Sequence, residues 1–497
     1  MSDPLQKGKD ETKKAVANKE PGDKTMEKKR IFTSYNAKWG KQIQKERVLS
    51  GTLSVQTVER GILLPLRKRK DVDTTDGCHE GGVCTEKYEY VAGIKRDRTN
   101  DRVNYSCCRS YKPEKEPVWR DETVVFGGIL YAHFGHMLID GLSRMWWFAE
   151  NPDTSYKIVF LMMSNQELRF PQFFELAGLR PEQYEIITEP TQFAKIIVPE
   201  EAMYALDAAH PQWLSFFERV KQNVQRQLPP SPHKKIYLTR TQLEEQDGIN
   251  EEYYEDFYRE LGYTVIAPEK LSLAEQINVV AGAEQIVATI GTLSHLAIFA
   301  QEGCELILLL KEPGTIIFPQ ITINALKKLD WCLIEATKDV LPTTHALGVH
   351  LYCNTEYFQE YRKSWNLEVK AEEAGAGVLT PELLMQYCKA WAEHYQDPVC
   401  FRRIRKKQMR DLLKNLNSAL LNQTVDMSLY PSVLKNKEKE LAEKEAEIQT
   451  WKEKCRAAEK ELKRLKNSRS WKMTRFLRKG HAALKNAWQR REKNSCS

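Results

Sequence analysis

The sequence predicts an α/β fold built from two lobes in series, each made of alternating strands and helices. Within residues 31–230, and again within 231–350, short apolar runs alternate with segments of helical spacing. The run Pro229-Pro-Ser-Pro232 interrupts that alternation and predicts the boundary between the lobes. The composition is that of a globular protein, because 41% of the 497 residues are hydrophobic and 29% are charged.

The first lobe follows a polar N-terminal segment. Residues 1–30 are rich in lysine and acidic residues and have no apolar periodicity, which predicts a disordered arm. In residues 31–230, the β-prone run Thr123–Leu130 predicts a strand, while Phe134–Ala149 and Pro211–Leu228 have helical spacing. We interpret 31–230 as the N-terminal α/β lobe.

The second lobe, 231–350, has the more regular alternation. Five apolar strands are linked by four helices, which predicts a doubly wound, Rossmann-like domain. Strands that are apolar throughout are typical of a sheet covered on both faces. The predicted strands are Lys235–Thr239, Tyr263–Ala267, Gln285–Ile290, Glu305–Leu310 and Cys332–Glu335.

Three segments follow the lobes. Residues 351–430 are predicted to be mainly helical and to pack back on the core. In 431–465, apolar residues recur every seven positions, which predicts a coiled coil; a single solvated helix is the alternative. A coiled coil through 434–465 would make the protein a homo-oligomer or dock it to a partner complex. The heptad positions are Leu434, Leu441, Ile448, Cys455 and Leu462.

The last segment, 466–497, holds ten Lys and Arg residues against one Glu, with Trp471 and Trp488 on its apolar side. This pattern predicts a basic amphipathic helix on an anionic membrane surface. The alternative is a solvated basic tail or a nucleic-acid contact. We expect no nucleic-acid partner, because the rest of the chain has no basic stripe with interleaved aromatic residues.

Charge and targeting signals indicate the compartment. The net charge is only +7, no apolar run is long enough to span a bilayer, and the first thirty residues lack the apolar core of a signal peptide. None of the eleven cysteines forms a C-x-x-C pair. We therefore expect a cytoplasmic protein, held peripherally at the inner face of the cell membrane by its basic tail.

The first candidate site is the segment 127–147. His136, Asp140 and Arg144 are spaced four apart, so on a regular helix they share one face, with His133 one turn earlier. A histidine beside a carboxylate is a candidate general base, and an arginine can clamp an anion. The alternative is a ladder of ion pairs on a surface helix.

The second candidate site belongs to the Rossmann-like lobe. Arg240 ends the first strand, at the carboxyl edge where open α/β sheets bind ligands. Gly291, Thr292, Ser294 and His295 follow a later strand and open a short helix, a combination suited to an anion. The alternative for Thr292 and Ser294 is simple N-capping.

Other chemistries lack their motifs. There is no G-x-x-x-x-G-K-[ST] loop, no G-x-G-x-x-G fingerprint after the first strand and no G-x-S-x-G elbow. Asp71-Val-Asp73 has a D-x-D form but lies in a charged stretch, so we interpret it as a solvated loop. The histidines and cysteines have no metal-ligand spacing, and we expect no metal site.

Four motifs in matching order give the chain a family resemblance. The block G-H-x-x-x-D-x-x-x-R-x-W at 135–146, Tyr237-Leu-Thr-Arg240, the segment Ile290–Ile298 and the run Glu302-Gly-Cys-Glu-Leu-Ile307 together resemble glycosyltransferase family 61. The likeness covers roughly residues 50–350. It is greatest to bacterial members that synthesise capsule and surface polysaccharide.

The resemblance implies a fold and a reaction. The fold is GT-B-like, with two Rossmann-like domains facing across a cleft, the first on the acceptor side. The reaction is an inverting, metal-independent transfer from a nucleotide-sugar donor, without a cofactor, to a hydroxyl of a growing surface glycan or glycolipid. His136 or Asp140 would be the base and Arg144 would organise the acceptor site.

The resemblance also implies that the second lobe binds the donor. Arg240 and the segment containing Gly291, Thr292, Ser294 and His295 would hold the diphosphate. Many family members have a Gly- and Ala-rich turn where this chain has Gly291-Thr-Leu-Ser-His295. Two other functions stay open at this point: a nucleotide-sugar epimerase of similar shape, and a non-catalytic coiled-coil scaffold. The donor sugar, the nucleotide, the acceptor and the linkage are not indicated by the sequence.

Overall fold

The computed structural model describes residues 30–68, 79–93, 109–163, 167–204, 206–243, 248–338, 340–341, 348–367 and 377–396, together with scattered positions between 446 and 460. The chain divides into two compact units, Met1–Met409 and Arg410–Ser497. Both predicted lobes lie in the first unit.

The described chain starts in the second lobe rather than in the first. Strand β1 (Ile31–Phe32) pairs in parallel with the far edge of the second-lobe sheet, Ile31 lying opposite Leu333. Helix α1 (Asn36–Ile43) follows, and its buried Trp39 donates an indole hydrogen bond to the Pro313 carbonyl, 3.0 Å away. The expected boundary at residue 31 therefore differs from the structure, because burial of Phe32 ties this apolar pair to a sheet some 300 residues away in sequence.

The first lobe contains an eight-stranded mixed sheet. Its spatial order is β5-β4-β3-β9-β6-β7-β8, with β2 also beside β9. Strands β9, β6, β7 and β8 run parallel, while β2 to β5 pair antiparallel. Half of the lobe is therefore α/β, and the other half is an antiparallel extension. The strands are β2 (Val55–Glu59), β3 (Ile62–Lys68), β4 (His79–Cys84), β5 (Tyr90–Ala92), β6 (Val118–Leu130), β7 (Lys157–Met162), β8 (Tyr184–Ile186) and β9 (Thr191–Pro199), followed by the small pair β10 (Met203–Tyr204) and β11 (Ala208–Ala209).

The helix expected over Phe134–Ala149 is broken into pieces. Helix α2 (Phe134–His136) continues as a π-helical turn, Met137–Gly141, in which the Leu142 amide donates to the Met137 carbonyl five residues back, at 3.1 Å. Such a turn is wider than an α-helical one, so residues after it rotate off the face that 3.6-residue spacing predicts. The remaining helices of the lobe are α3 (Trp146–Glu150), α4 (Gln172–Ala177) and α5 (Trp213–Gln227).

The second lobe is a parallel, doubly wound domain. Its sheet has the order β14-β12-β15-β16-β17-β1, and every pair in it is parallel. Strands and helices alternate much as expected. The elements are β12 (Lys235–Leu238), β13 (Gly248–Ile249), α6 (Glu252–Glu260), β14 (Thr264–Ile266), α7 (Leu273–Gly282), β15 (Gln285–Thr289), β16 (Glu305–Leu310), α8 (Phe318–Leu326) and β17 (Asp330–Glu335), with a 3-10 turn over Ser294–Phe299.

The strand order indicates where a ligand site is expected in this lobe. Counting from β12, the order is 2-1-3-4-5, so the direction of winding reverses between β12 and β15. In open sheets of this order, ligands bind at the carboxyl ends on either side of that reversal. Arg240 follows β12, and Gly291 follows β15.

A continuous apolar core joins the lobes. Helix α5 buries Phe216, Phe217 and Val220 on one face, at the spacing of an amphipathic helix. Phe217 meets Phe299 of the second lobe edge to face, with 5.8 Å between ring centroids. The ion pair between Lys327 and Glu218, 2.5 Å apart, lies in the same interface. The two lobes are therefore packed together in the structure.

The described part of the region 351–430 contains two helices. Strand β18 (His350–Leu351) pairs with β13, and α9 (Glu356–Ser364) buries Phe358 and Tyr361 against the second lobe. Helix α10 (Pro381–His394) buries Tyr387, whose side chain contacts Leu341. Both helices therefore cover the second lobe.

Several predicted segments lie wholly or largely outside the described residues. These are the arm up to residue 29, Asp71 and Asp73, the tail 466–497, and most of 431–465. The described positions between 446 and 460 are helical, and Trp451 among them is exposed. Within the described part of the chain, no helix has the length and apolar character needed to cross a membrane.

Candidate active site

A cavity of about 300 Å³ lies where the carboxyl edge of the second-lobe sheet meets the start of α2. The first lobe contributes His133 and His136 to its lining. The second lobe contributes Arg240, Gly291, Thr292 and His295. The structure thus brings most of the two sequence-predicted groups together at one site, although more than 100 residues separate them along the chain.

His136 and Asp140 form the pair that their spacing predicts. His136 Nδ1 lies 3.0 Å from Asp140 Oδ2, and the side chains are 39% and 6% exposed. Because an ionised carboxylate can only accept, the ring must donate its Nδ1 proton, and Nε2 then carries the lone pair. A histidine held in this tautomer at a cavity wall can take a proton from a bound hydroxyl.

His133 stands beside that pair. Its ring centroid is 5.2 Å from that of His136, and its Nδ1 accepts a hydrogen bond from the His136 amide at 3.4 Å. Burial lowers the pKa of His133, and the neighbouring His136 and Arg240 lower it further. At neutral pH the ring is therefore uncharged. The helical spacing of the sequence already places His133 one turn before His136.

Arg144 lies apart from the other predicted residues. Its buried guanidinium donates to the carbonyls of Pro199 and Gly93, the second at 2.9 Å, and lies 3.5 Å from Glu201. These contacts join α3 and its preceding turn to the first-lobe sheet. The π-helical turn after His136 explains the separation, because it rotates Arg144 away from the face of Asp140.

The segment after β15 forms the floor of the cavity. Gly291 has φ +135°, a conformation that favours glycine, and its amide donates to Ser294 Oγ at 3.0 Å. Ser294 is buried and its hydroxyl also lies 2.6 Å from Gln320 Oε1. Ser294 therefore shapes the turn, while Gly291 and Thr292 line the cavity.

His295 completes the floor as a neutral, buried ring. Its Nδ1 lies 2.9 Å from Gln320 Oε1, and the side chain is almost fully buried. Burial lowers the pKa of His295 to about 4, against a smaller opposing effect of the Gln320 hydrogen bond. The imidazole is therefore uncharged at neutral pH, and because Nδ1 donates to the Gln320 amide oxygen, Nε2 is left as a hydrogen-bond acceptor.

The two walls of the cavity meet at Gly135. A Cβ atom at this position would lie 2.8 Å from Thr292 Oγ1 and 3.3 Å from Thr292 Cγ2. The glycine backbone of the first lobe therefore rests against the Thr292 side chain of the second. This contact fixes the width of the cavity between His136 and the segment after β15.

Sequence reasoning missed further lining residues at the end of β16. Lys311, Glu312 and Thr315 follow this strand and line the cavity. The signal was present, because β16 is a buried parallel strand and its carboxyl end lies at the same edge as Arg240. Lys311 and Glu312 directly follow this strand, so the rule that ligands bind at the carboxyl ends of parallel strands predicts them as it predicts Arg240.

In the ranges that the structure describes, no group of three or more His, Cys, Asp or Glu side chains is arranged to hold a metal ion. The histidines of the cavity instead contact one another, Asp140 and Gln320.

The family comparison covers both walls of this cavity. Residues 134–307 match the family model described as Glycosyltransferase 61. The matched segment starts in α2, includes His136, Asp140 and Arg240, and ends within β16. The comparison with curated proteins gave no significant match. Within the segment 134–307, which includes residues of both cavity walls, the chain is therefore similar to glycosyltransferase family 61.

Proposed function

We propose that this glycosyltransferase moves a sugar, with inversion, from a nucleotide-sugar donor to a hydroxyl of a growing surface glycan. One observation carries the proposal: a single cavity joins the His136 and Asp140 pair of one lobe to Arg240 and the Gly291 turn of the other. A base and an anion-binding wall on opposite sides of a cavity are what an inverting displacement needs. The epimerase and scaffold alternatives gain no support from the family match.

His136 is the proposed general base. With Nδ1–H directed to Asp140, Nε2 accepts the proton of the acceptor hydroxyl as its oxygen attacks the anomeric carbon. Asp140 holds the tautomer and stabilises the imidazolium that forms, which is the role of a buried carboxylate in other histidine-dependent sites. Of the two candidates, Asp140 is the less accessible, at 6% exposure against 39%.

Arg240 is the proposed partner of the leaving group. As the bond between the anomeric carbon and the diphosphate oxygen breaks, the electron pair moves to the diphosphate. A guanidinium at the sheet edge stabilises that charge by paired hydrogen bonds. Gly291 lets the backbone approach the same group, and neutral His133, whose Nδ1 accepts from the His136 amide, donates a hydrogen bond from Nε2 without adding charge.

Ligand-induced stabilisation tests the donor class directly. We expect one or a few members of a panel of nucleotide-sugars, with their free nucleotides, to raise the melting temperature. A ligand at 100 times its dissociation constant adds about 2.7 kcal/mol to the free energy of unfolding. Stabilisation by none of the panel would argue against a nucleotide-sugar donor.

Two substitutions test the base. His136→Ala and Asp140→Asn should each lower the transfer rate by about 10²- to 10⁴-fold, the usual contribution of a general base. Both variants should keep the wild-type melting temperature and donor affinity. Transfer near the wild-type rate in both variants would remove the pair from the mechanism. The anomeric configuration of the product, read by NMR, tests inversion.

The finer assignments rest on sequence patterns. We propose that the capsule or lipopolysaccharide type of acceptor is reached at the inner face of the cell membrane. The basic segment 466–497 would hold the protein there, and 434–465 would mediate oligomerisation. Sedimentation on anionic vesicles with and without 466–497 tests the first point, and the oligomeric state with and without 434–465 tests the second.

A further inference from the structure

The turn that carries Arg240 is hydrogen-bonded to a buried carboxylate. Glu251, which precedes α6, accepts a hydrogen bond from the Arg240 amide at 3.3 Å and one from the Tyr237 hydroxyl at 3.2 Å, both through Oε1. Glu251 is 2% exposed. The carboxylate therefore fixes the backbone of Arg240 to the strand before it and to the start of α6.

A second carboxylate holds the same turn one helical turn further on. Glu255 Oε1 accepts from the hydroxyls of Thr239 and Thr241, at 2.5 and 2.6 Å. Its other oxygen, Oε2, lies 3.4 Å from Arg259. The residues on both sides of Arg240 are thus bound to one helix at positions i and i+4, which face the same way.

This arrangement carries an energetic cost that simple packing would avoid. Burying a carboxylate disfavours its charged form, and burial raises the pKa of Glu251 to about 7 in spite of the nearby Arg240 charge. An apolar residue would fill this position without that cost. The carboxylate oxygens do what an apolar side chain cannot, because they accept hydrogen bonds from the turn.

We propose that Glu251 and Glu255 are positioning residues that hold Arg240 at the cavity wall, so that its guanidinium meets the donor diphosphate in a fixed place. The role given to the diphosphate rests on the proposed function. The claim that the two carboxylates hold the Arg240 turn does not depend on it. A purely structural role would stabilise α6 without affecting the Arg240 backbone.

The test compares three substitutions with a matched control. Glu251→Asp retracts the carboxylate by one methylene yet keeps a residue that caps helices well, so it separates positioning from helix stability. Glu255→Ala removes the second pair of hydrogen bonds, and Glu251→Gln keeps an acceptor oxygen. The control is Glu252→Ala, an exposed position on the same helix.

Two readouts separate the claims. Hydrogen exchange, measured by mass spectrometry on peptides spanning 236–243, reports the turn without any ligand. Calorimetry with UDP, GDP, ADP and dTDP reports the anion site. We expect E251D and E255A to speed exchange in this peptide and to weaken nucleotide binding, each about tenfold, the effect of one charged hydrogen bond. E251Q and E252A should stay within about twofold of wild type.

The outcomes distinguish this inference from the proposed function. Unchanged exchange in both E251D and E255A would overturn the positioning role. Faster exchange with unchanged nucleotide affinity would show that holding the Arg240 turn does not contribute to nucleotide binding, and would overturn that part of the proposal. If the wild-type protein binds none of the four nucleotides, the donor assignment fails instead, and the exchange data alone decide whether the two carboxylates hold the turn.

Discussion

Substituting Gly135 by alanine should force apart the two walls of the cavity. The new Cβ would lie 2.8 Å from Thr292 Oγ1, whereas ordinary van der Waals contact begins near 3.4 Å. The segment carrying His136 must therefore move by about 0.6 Å relative to the turn after β15. A change of the Thr292 side-chain rotamer does not relieve the clash, because Thr292 Cγ2 would also lie close to the new Cβ, at 3.3 Å.

The expected loss follows from that displacement. Overpacking of this size costs about 1–3 kcal/mol, and a shift of up to 1 Å in an active site lowers the rate by as much as about 100-fold. We expect G135A to lower kcat/KM for the donor found in the panel by about 10- to 100-fold. The matched control is Gly40→Ala, because Cβ at that helical position meets no atom within 4 Å.

A double-mutant cycle decides whether the contact is responsible. Thr292→Ala removes both Thr292 atoms that the new methyl group would meet and leaves only His133 Cε1, at 3.3 Å. G135A/T292A should therefore recover about tenfold in kcat/KM relative to the sum of the single effects. Additive effects in the cycle, or a G135A enzyme as active as G40A, would refute the close approach of the lobes at this point.

Three further outcomes follow from the same structure. Arg240→Ala should weaken binding of the donor nucleotide by about 10- to 100-fold in calorimetry, since charged hydrogen bonds contribute about 1.5–3 kcal/mol; unchanged affinity would remove Arg240 from the donor site. Because the folded pKa of Glu251, about 7, exceeds its ordinary 4.5, the folded protein loses stability as pH rises from 4.5 through 7. Glu251→Gln should abolish that loss, about 3 kcal/mol in urea unfolding at pH 5 and pH 8, and an unaltered pH profile would contradict the buried charge. Gln320→Leu should lower the melting temperature, because it removes the hydrogen-bond partner of the buried His295 ring, and an unsatisfied buried polar group costs about 1–3 kcal/mol. A melting temperature equal to wild type would show that water replaces the amide.

The second lobe could be predicted closely from the sequence. Its strands are buried on both faces, so they appear as unbroken apolar runs such as Leu306–Leu310, and short turns separate them from the helices. The carboxyl edge then follows from the parallel arrangement, which is why Arg240 could be placed at that edge. The strand order, which puts the reversal of winding between β12 and β15, came only from the structure.

The first lobe could be predicted less well, for two physical reasons. Its antiparallel half depends on pairing between β2 or β3 and β9, which lie more than 100 residues apart, and local patterns contain no such information. The spacing of His136 and Asp140 was a sufficient guide to their contact. The same spacing failed for Arg144, because the π-helical turn changes the number of residues per turn and leaves no mark in apolar periodicity.

The pairing of β1 with β17 has a consequence for biogenesis. The six-stranded sheet takes its outermost strand from residues 31–32, and its other five from residues 235–335. During synthesis the first strand must wait, unpaired, until some 300 more residues have been translated before its neighbour exists. Completion of the second-lobe sheet therefore waits for this pairing, whereas the first-lobe sheet, built from residues 55–199, does not depend on it. Closing so long a chain loop carries an entropic cost that slows this last step of folding.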